Sequence, residues 1–136
     1  MKEERGAAAV ELVLATPILV ALMLFAVAGG RLASTRAEVD AAARDGARAA
    51  SIARSAAVAE RDGRAAAEAA LADRGLSCSN LTVTIDTTDF RPGGIVAATV
   101  ACDVDLSDLT GLGLPGARTV SARFAEPVDM FRGVTP

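Results

Sequence analysis

Hydrophobic and polar positions along the chain fall into three successive regimes. After a short hydrophilic start, Lys2-Glu3-Glu4-Arg5, the chain turns apolar, and residues 12–30 contain no charge. That run matches the roughly twenty apolar residues of a membrane-spanning helix. From Arg31 the pattern becomes helical and amphipathic. Leu32, Val39 and Gly46, flanked by Arg36, Ala43 and Ala50, share one face at alternating steps of four and three. Asp40 with Arg44 and Asp45 with Arg48 form charge pairs off that face. No proline interrupts residues 32–60 and alanine dominates them, so one helix is expected from Ala7 to about Ala59, roughly 80 Å long.

Asp62-Gly63 reads as a break, followed by a short second helix over 64–74 with Gly75 as its left-handed cap; the alternative is a continuous helix through Gly63, at a cost of about 1 kcal/mol. Beyond Gly75 the period becomes two. Leu81, Val83 and Ile85 alternate with Thr82, Thr84 and Asp86, and Val96, Ala98, Val100, Cys102, Val104 and Leu106 alternate with Ala97, Thr99, Ala101, Asp103 and Asp105. A turn at Arg91-Pro92-Gly93-Gly94 joins these strands into a hairpin. A third strand is expected over 117–125, ended by Pro127, with a loose tail to Pro136. The fold class is α+β. A long N-terminal transmembrane helix extends into a domain with a short second helix and an antiparallel sheet of about three strands. The sheet's one apolar face is covered by helix.

Composition sharpens this picture in a few places. The chain has 136 residues and a net charge of -3, which argues against a nucleic-acid partner because phosphate binding needs a basic face. Histidine is absent, which excludes histidine-based triads and histidine metal sites. Gly111-Leu112-Gly113-Leu114-Pro115-Gly116 lacks the Lys-Ser/Thr of a phosphate loop and reads as a turn. Asp103, Asp105 and Asp108 do not have the spacing of a calcium loop. No catalytic residue, metal, cofactor or small-molecule substrate is therefore expected.

Cys78 and Cys102 fit no zinc or thioredoxin-type spacing. A four-residue turn would set Cys102 opposite about Val83. A disulfide from the loop after the second helix to the inner face of the middle strand is the natural reading if this region lies outside the cytoplasm.

Within the apolar run, three features stand out. Glu11 sits just inside its near edge, where an unpaired carboxylate costs on the order of 2.5 kcal/mol or more to insert. Pro17, after Thr16, should kink or loosen the helix, with the Thr16 hydroxyl available to a freed carbonyl. Ala26, Gly30 and Ser34 recur every fourth residue, a ridge of small side chains that lets another helix approach closely. Ala26-Val27-Ala28 also matches a signal peptidase site, and a cut after Ala28 would release a soluble protein. The length of the run and the position of Glu11 fit that role poorly.

Gly6, then Glu11, then an apolar helix resembles the leader of type IV-like prepilins. Arg5-Gly6-Ala7-Ala8-Ala9-Val10-Glu11-Leu12, Pro17, Gly30-Arg31-Leu32 and Ala43-Arg44-Asp45-Gly46-Ala47-Arg48-Ala49-Ala50 together resemble the TadE-like pilins of the tight-adherence (Tad/Flp) pilus. Leu12 stands where that family often has an aromatic residue. The resemblance implies a leader over residues 1–6, cut between Gly6 and Ala7 by a membrane-embedded prepilin peptidase. It further implies a transmembrane helix over 7–30, an extended helix and second helix over 31–75, and an extracytoplasmic β domain over 76–136. The implied partners are other pilin subunits, the Tad assembly machinery and the membrane. Glu11 would pair with the new amino terminus of a neighbouring subunit. The implied role is a minor pilin or pseudopilin, major subunits usually being shorter. The alternative is an unprocessed single-pass envelope protein whose exterior β domain binds another protein.

Overall fold

The computed structural model describes residues 2–105, 107 and 116–131, with side chains described from residue 10 onward. Among the described residues, the elements in order are α1 (Lys2–Ser51), α2 (Ala56–Asp73), β1 (Asn80–Asp86), β2 (Ile95–Asp105) and β3 (Ala117–Pro127). The strands form one antiparallel sheet in the order β1-β2-β3. α1 lies against β2 and β3, and α2 lies against β1 and α1. This is the α+β arrangement expected from the switch of period at Gly75.

α1 is 50 residues long, about 75 Å. It stops earlier than the unbroken alanine pattern suggests. The break falls at residues 52–55, which hold neither glycine nor proline. Ser55 makes the restart: its hydroxyl accepts from the Val58 N–H, 3.4 Å away, as the N-cap of α2. The expected break at Asp62-Gly63 does not exist, because Gly63 lies inside α2 and is buried. A Cβ there would sit 3.0 Å from the Gly46 carbonyl and 3.1 Å from both the Ala50 Cβ and the Ile85 Cδ1. Gly63 thus gives up about 1 kcal/mol of helix propensity so that two helix backbones can touch. At the far end, Gly75 has φ +68°, and its N–H donates to the Ala72 carbonyl at 3.0 Å. It is the left-handed residue the sequence suggests there.

The core is built from small side chains. Val39, Ala43, Ala47 and Ala50 of α1 meet Val96, Ala98, Val100 and Cys102 of β2, all buried. One pairing differs from the sequence expectation. Cys102 faces Leu81, not Val83, because Asp86 pairs with Ala97 and the reversal over 87–96 is centred one position earlier than a turn at 91–94. β3 ends at Pro127, as expected, with that residue still paired to Ile95. The chain beyond it is also tied: Val128 is buried, donates to the Gly94 carbonyl at 2.8 Å and accepts from the Gly93 N–H at 3.1 Å. Asp86 steadies the same reversal. Its carboxylate accepts from the Thr88 hydroxyl at 2.7 Å and the Thr88 N–H at 3.2 Å. These bonds, with the Arg123 guanidinium nearby, hold its pKa below the ordinary 3.8. Leu106, Asp108, residues 111–115 and the tail from residue 132 lie outside the described residues.

Cys78 and Cys102 are bonded, with Cα atoms 5.3 Å apart. The bridge ties the segment after α2 to the helix-covered face of β2, as the strand pattern suggests. Cys102 is fully buried, so the link reaches the centre of the sheet.

Candidate membrane-embedded assembly site

The first half of α1 has no cover. Every large apolar side chain from Val10 to Val27 is at least 43% exposed. A monomer in water cannot support such a surface, because soluble proteins seldom expose contiguous apolar patches beyond a few hundred Å². Residues 12–30 give an apolar rod about 28 Å long, close to the hydrocarbon thickness of a bilayer. α1 is accordingly a candidate membrane span, and none of its most apolar window is buried within the chain.

Glu11 lies at the start of this rod and is exposed. Among the described residues it has no ion-pair partner. Arg31 is the next charged residue along α1, about 30 Å further up the axis. No described side chain of the same chain compensates this carboxylate. Gly6 and Ala7 lie within α1, and their side chains are outside the described residues.

α1 runs through Pro17 as continuous helix. The Thr16 hydroxyl donates to the Leu12 carbonyl at 2.6 Å. It does not serve the Val13 carbonyl, which is the one that lost its donor to proline. Ala26, Gly30 and Ser34 are all exposed, and a Cβ added at Gly30 would meet nothing within 4 Å. No described residue packs against the ridge at Gly30. Ser34 also donates to Glu38 Oε1 at 3.2 Å.

The segment 43–50 has a different job. Ala43, Gly46, Ala47 and Ala50 are buried, while Arg44, Asp45 and Arg48 are exposed. The buried set holds α1 against α2 and the sheet, with Gly46 touching Gly63. The charged set works around the rim. Arg44 stacks over the Phe124 ring at 5.3 Å and pairs with Asp40 at 3.8 Å. Asp45 pairs with Arg74 at 3.5 Å, joining α1 to the end of α2. Arg74 further donates to the Ala70 carbonyl at 2.7 Å, closing the last turn. Sequence reasoning found Gly46 on the correct face but missed its counterpart, Gly63. The available signal was a lone glycine inside an otherwise alanine-rich helical window.

Residues 6–48 match the family model for TadE-like protein. The N-terminal segment is TadE-like. The match covers 43 of the 136 residues, from the glycine before the span to the start of the helix-packing motif. It associates the chain with the Tad pilus, and the apolar helix fits a membrane-anchored component of that system. No curated protein and no solved structure matches the chain. Within the TadE-like segment, then, the first part is bare apolar helix and the last part is buried against α2 and β2. The sheet lies outside the match.

Proposed function

We propose that this chain is a minor pilin or pseudopilin-like structural subunit for assembly of a Tad/Flp-type pilus, serving adhesion or secretion. Prepilin peptidase removes residues 1–6 on the cytoplasmic side, and the mature chain begins at Ala7. The span holds the subunit in the membrane, and the head of α2 and the sheet lies outside. The observation that carries this reading is a Glu11 with no ion-pair partner among the described residues, at the foot of a bare apolar helix whose foot and neck are both TadE-like.

Cleavage gives Ala7 a free ammonium in an apolar surround. A neighbouring subunit's Glu11 supplies the opposite charge, and pairing offsets a desolvation cost that neither group bears well alone. The pair fixes the axial register of adjacent helices. The ridge of Ala26, Gly30 and Ser34 then lets their backbones close up. Such a subunit has no catalytic task. Its partners are the peptidase, other pilins and the Tad machinery.

Substituting Glu11→Ala separates maturation from polymerisation. The variant is expected to lose residues 1–6 like the wild type, to stay in the membrane, and to be absent from sheared pili detected by immunoblot. Normal entry of the variant into pili would overturn the proposed role of Glu11. If the chain is instead an unprocessed envelope protein, wild type and variant both retain the leader and neither appears in the pilus fraction.

A further inference from the structure

Where α1 leaves the apolar rod, the head forms a groove. Its cavity is about 310 Å³, lined by Arg31, Ser34, Thr35 and Glu38 of α1, by residues 75–77 between α2 and β1, and by Val104 of β2. That volume is at the lower end of ligand-sized sites. Its polar groups are ordered along the helix axis. Arg31 follows directly on Gly30, Ser34 stands about 6 Å beyond that glycine, and Glu38 about 12 Å beyond it. The polar headgroup layer on each side of a bilayer is about 5–7 Å thick. Arg31 therefore falls at phosphate depth and Ser34 at the outer, water-facing edge; the Glu38 backbone lies beyond the layer, but its carboxylate reaches back to the Ser34 hydroxyl and so stands at that same edge.

We infer that this groove binds the headgroup of an ethanolamine phospholipid. The order of charges selects that occupant. A zwitterionic phospholipid carries its phosphate next to the glycerol and its ammonium outermost, which matches cation first and carboxylate second. Arg31 already has a contact within the chain, but a guanidinium offers five donors, so a phosphate joins that set. Glu38 uses Oε1 to accept from Ser34, which leaves Oε2 for an ammonium. A primary ammonium can donate to that oxygen, whereas a trimethylated one cannot. A glycerol headgroup brings no positive charge. Thr35 is 5% exposed and donates inward to the Arg31 carbonyl at 3.0 Å, so it closes the floor and does not compete for the ligand. The consequence is a subunit oriented by a lipid at its neck before it meets its neighbours.

The inference rests on the membrane reading of α1, and the test separates the two. The full-length chain is reconstituted in vesicles containing ethanolamine, choline or glycerol phospholipids, and flotation reports membrane insertion. The protein is then extracted in mild detergent, and native mass spectrometry counts retained lipid. We expect one ethanolamine lipid retained in preference to the other two. Glu38→Gln should cut that preference by about tenfold, the loss of one charge-assisted bond. Arg31→Gln should cut retention of all three lipids. Flotation with equal retention of the three headgroups, or a preference unchanged in Glu38→Gln, would overturn the lipid site and leave the span intact. Failure to float with any vesicle would overturn both.

Discussion

Replacing Gly63 with valine should collapse the head, although the residue is far from Glu11 and touches no expected partner. The expected loss is about 2 kcal/mol or more, a fall in Tm on the order of 10 °C for a head of this size. The reasoning is steric. A single Cβ at Gly63 already reaches 3.0 Å from a backbone carbonyl, which cannot rotate away as a side chain could. Two further methyls have nowhere to go between α1, α2 and β1. Ala65→Val on the exposed side of the same helix controls for the poorer helix propensity of valine, and should cost within about 0.5 kcal/mol. Thermal unfolding of the full chain in detergent, followed by circular dichroism, measures both. Equal effects of the two substitutions would mean that the close crossing at Gly46 and Gly63 carries no weight.

Breaking the disulfide should cost more. The bridge joins residues separated by 24 in sequence. Closing a loop of that size removes about 3.5 kcal/mol of unfolded-state freedom in the chain-entropy treatment. The head has little else of comparable strength to draw on, because its core is mostly alanine and valine. The double substitution Cys78→Ser, Cys102→Ser should therefore lower denaturant stability by about 3 kcal/mol. The difference from wild type should vanish once both are measured under strong reductant. A loss under about 1 kcal/mol, or wild-type stability unaffected by reductant, would show that the sheet holds without the bridge. Should the double variant fail to fold at all, the reductant series on the wild-type chain still reads out the contribution.

These two features show what the chain discloses as sequence and what it conceals. The alternation around Val83 and Val100 marks the strands openly, because a half-buried strand must repeat every second residue. The apolar run before Arg31 is equally open, since lipid tolerates nothing else over that length. The end of α1 is concealed. Residues 52–55 contain no residue that forbids helix, and the stop is made by tertiary packing together with the Ser55 cap. Gly63 misled for a related reason. A glycine that ends a helix and a glycine that lets two helices touch look alike in one sequence. The register of β1 on β2 was hidden because the reversal over 87–96 is centred one position before the expected turn at 91–94, steadied by Asp86 and Val128 from outside it.

The candidate assembly site was legible in a different sense. Glu11 stands out because a carboxylate is costly in that position, and no described side chain of its own chain pairs with it. The buried half of the 43–50 motif was visible as a stripe. Its rim contacts, Arg44 to Phe124 and Asp45 to Arg74, join positions 80 and 29 residues apart, and no local pattern encodes them.

All of the proposed assembly chemistry depends on a new amino terminus appearing at Ala7. Intact-mass and N-terminal peptide analysis of the protein extracted from its native membrane tests this directly. The account predicts a chain that begins at Ala7, with residues 1–6 removed. A chain that keeps Met1, or one that begins at Gly29, would contradict it.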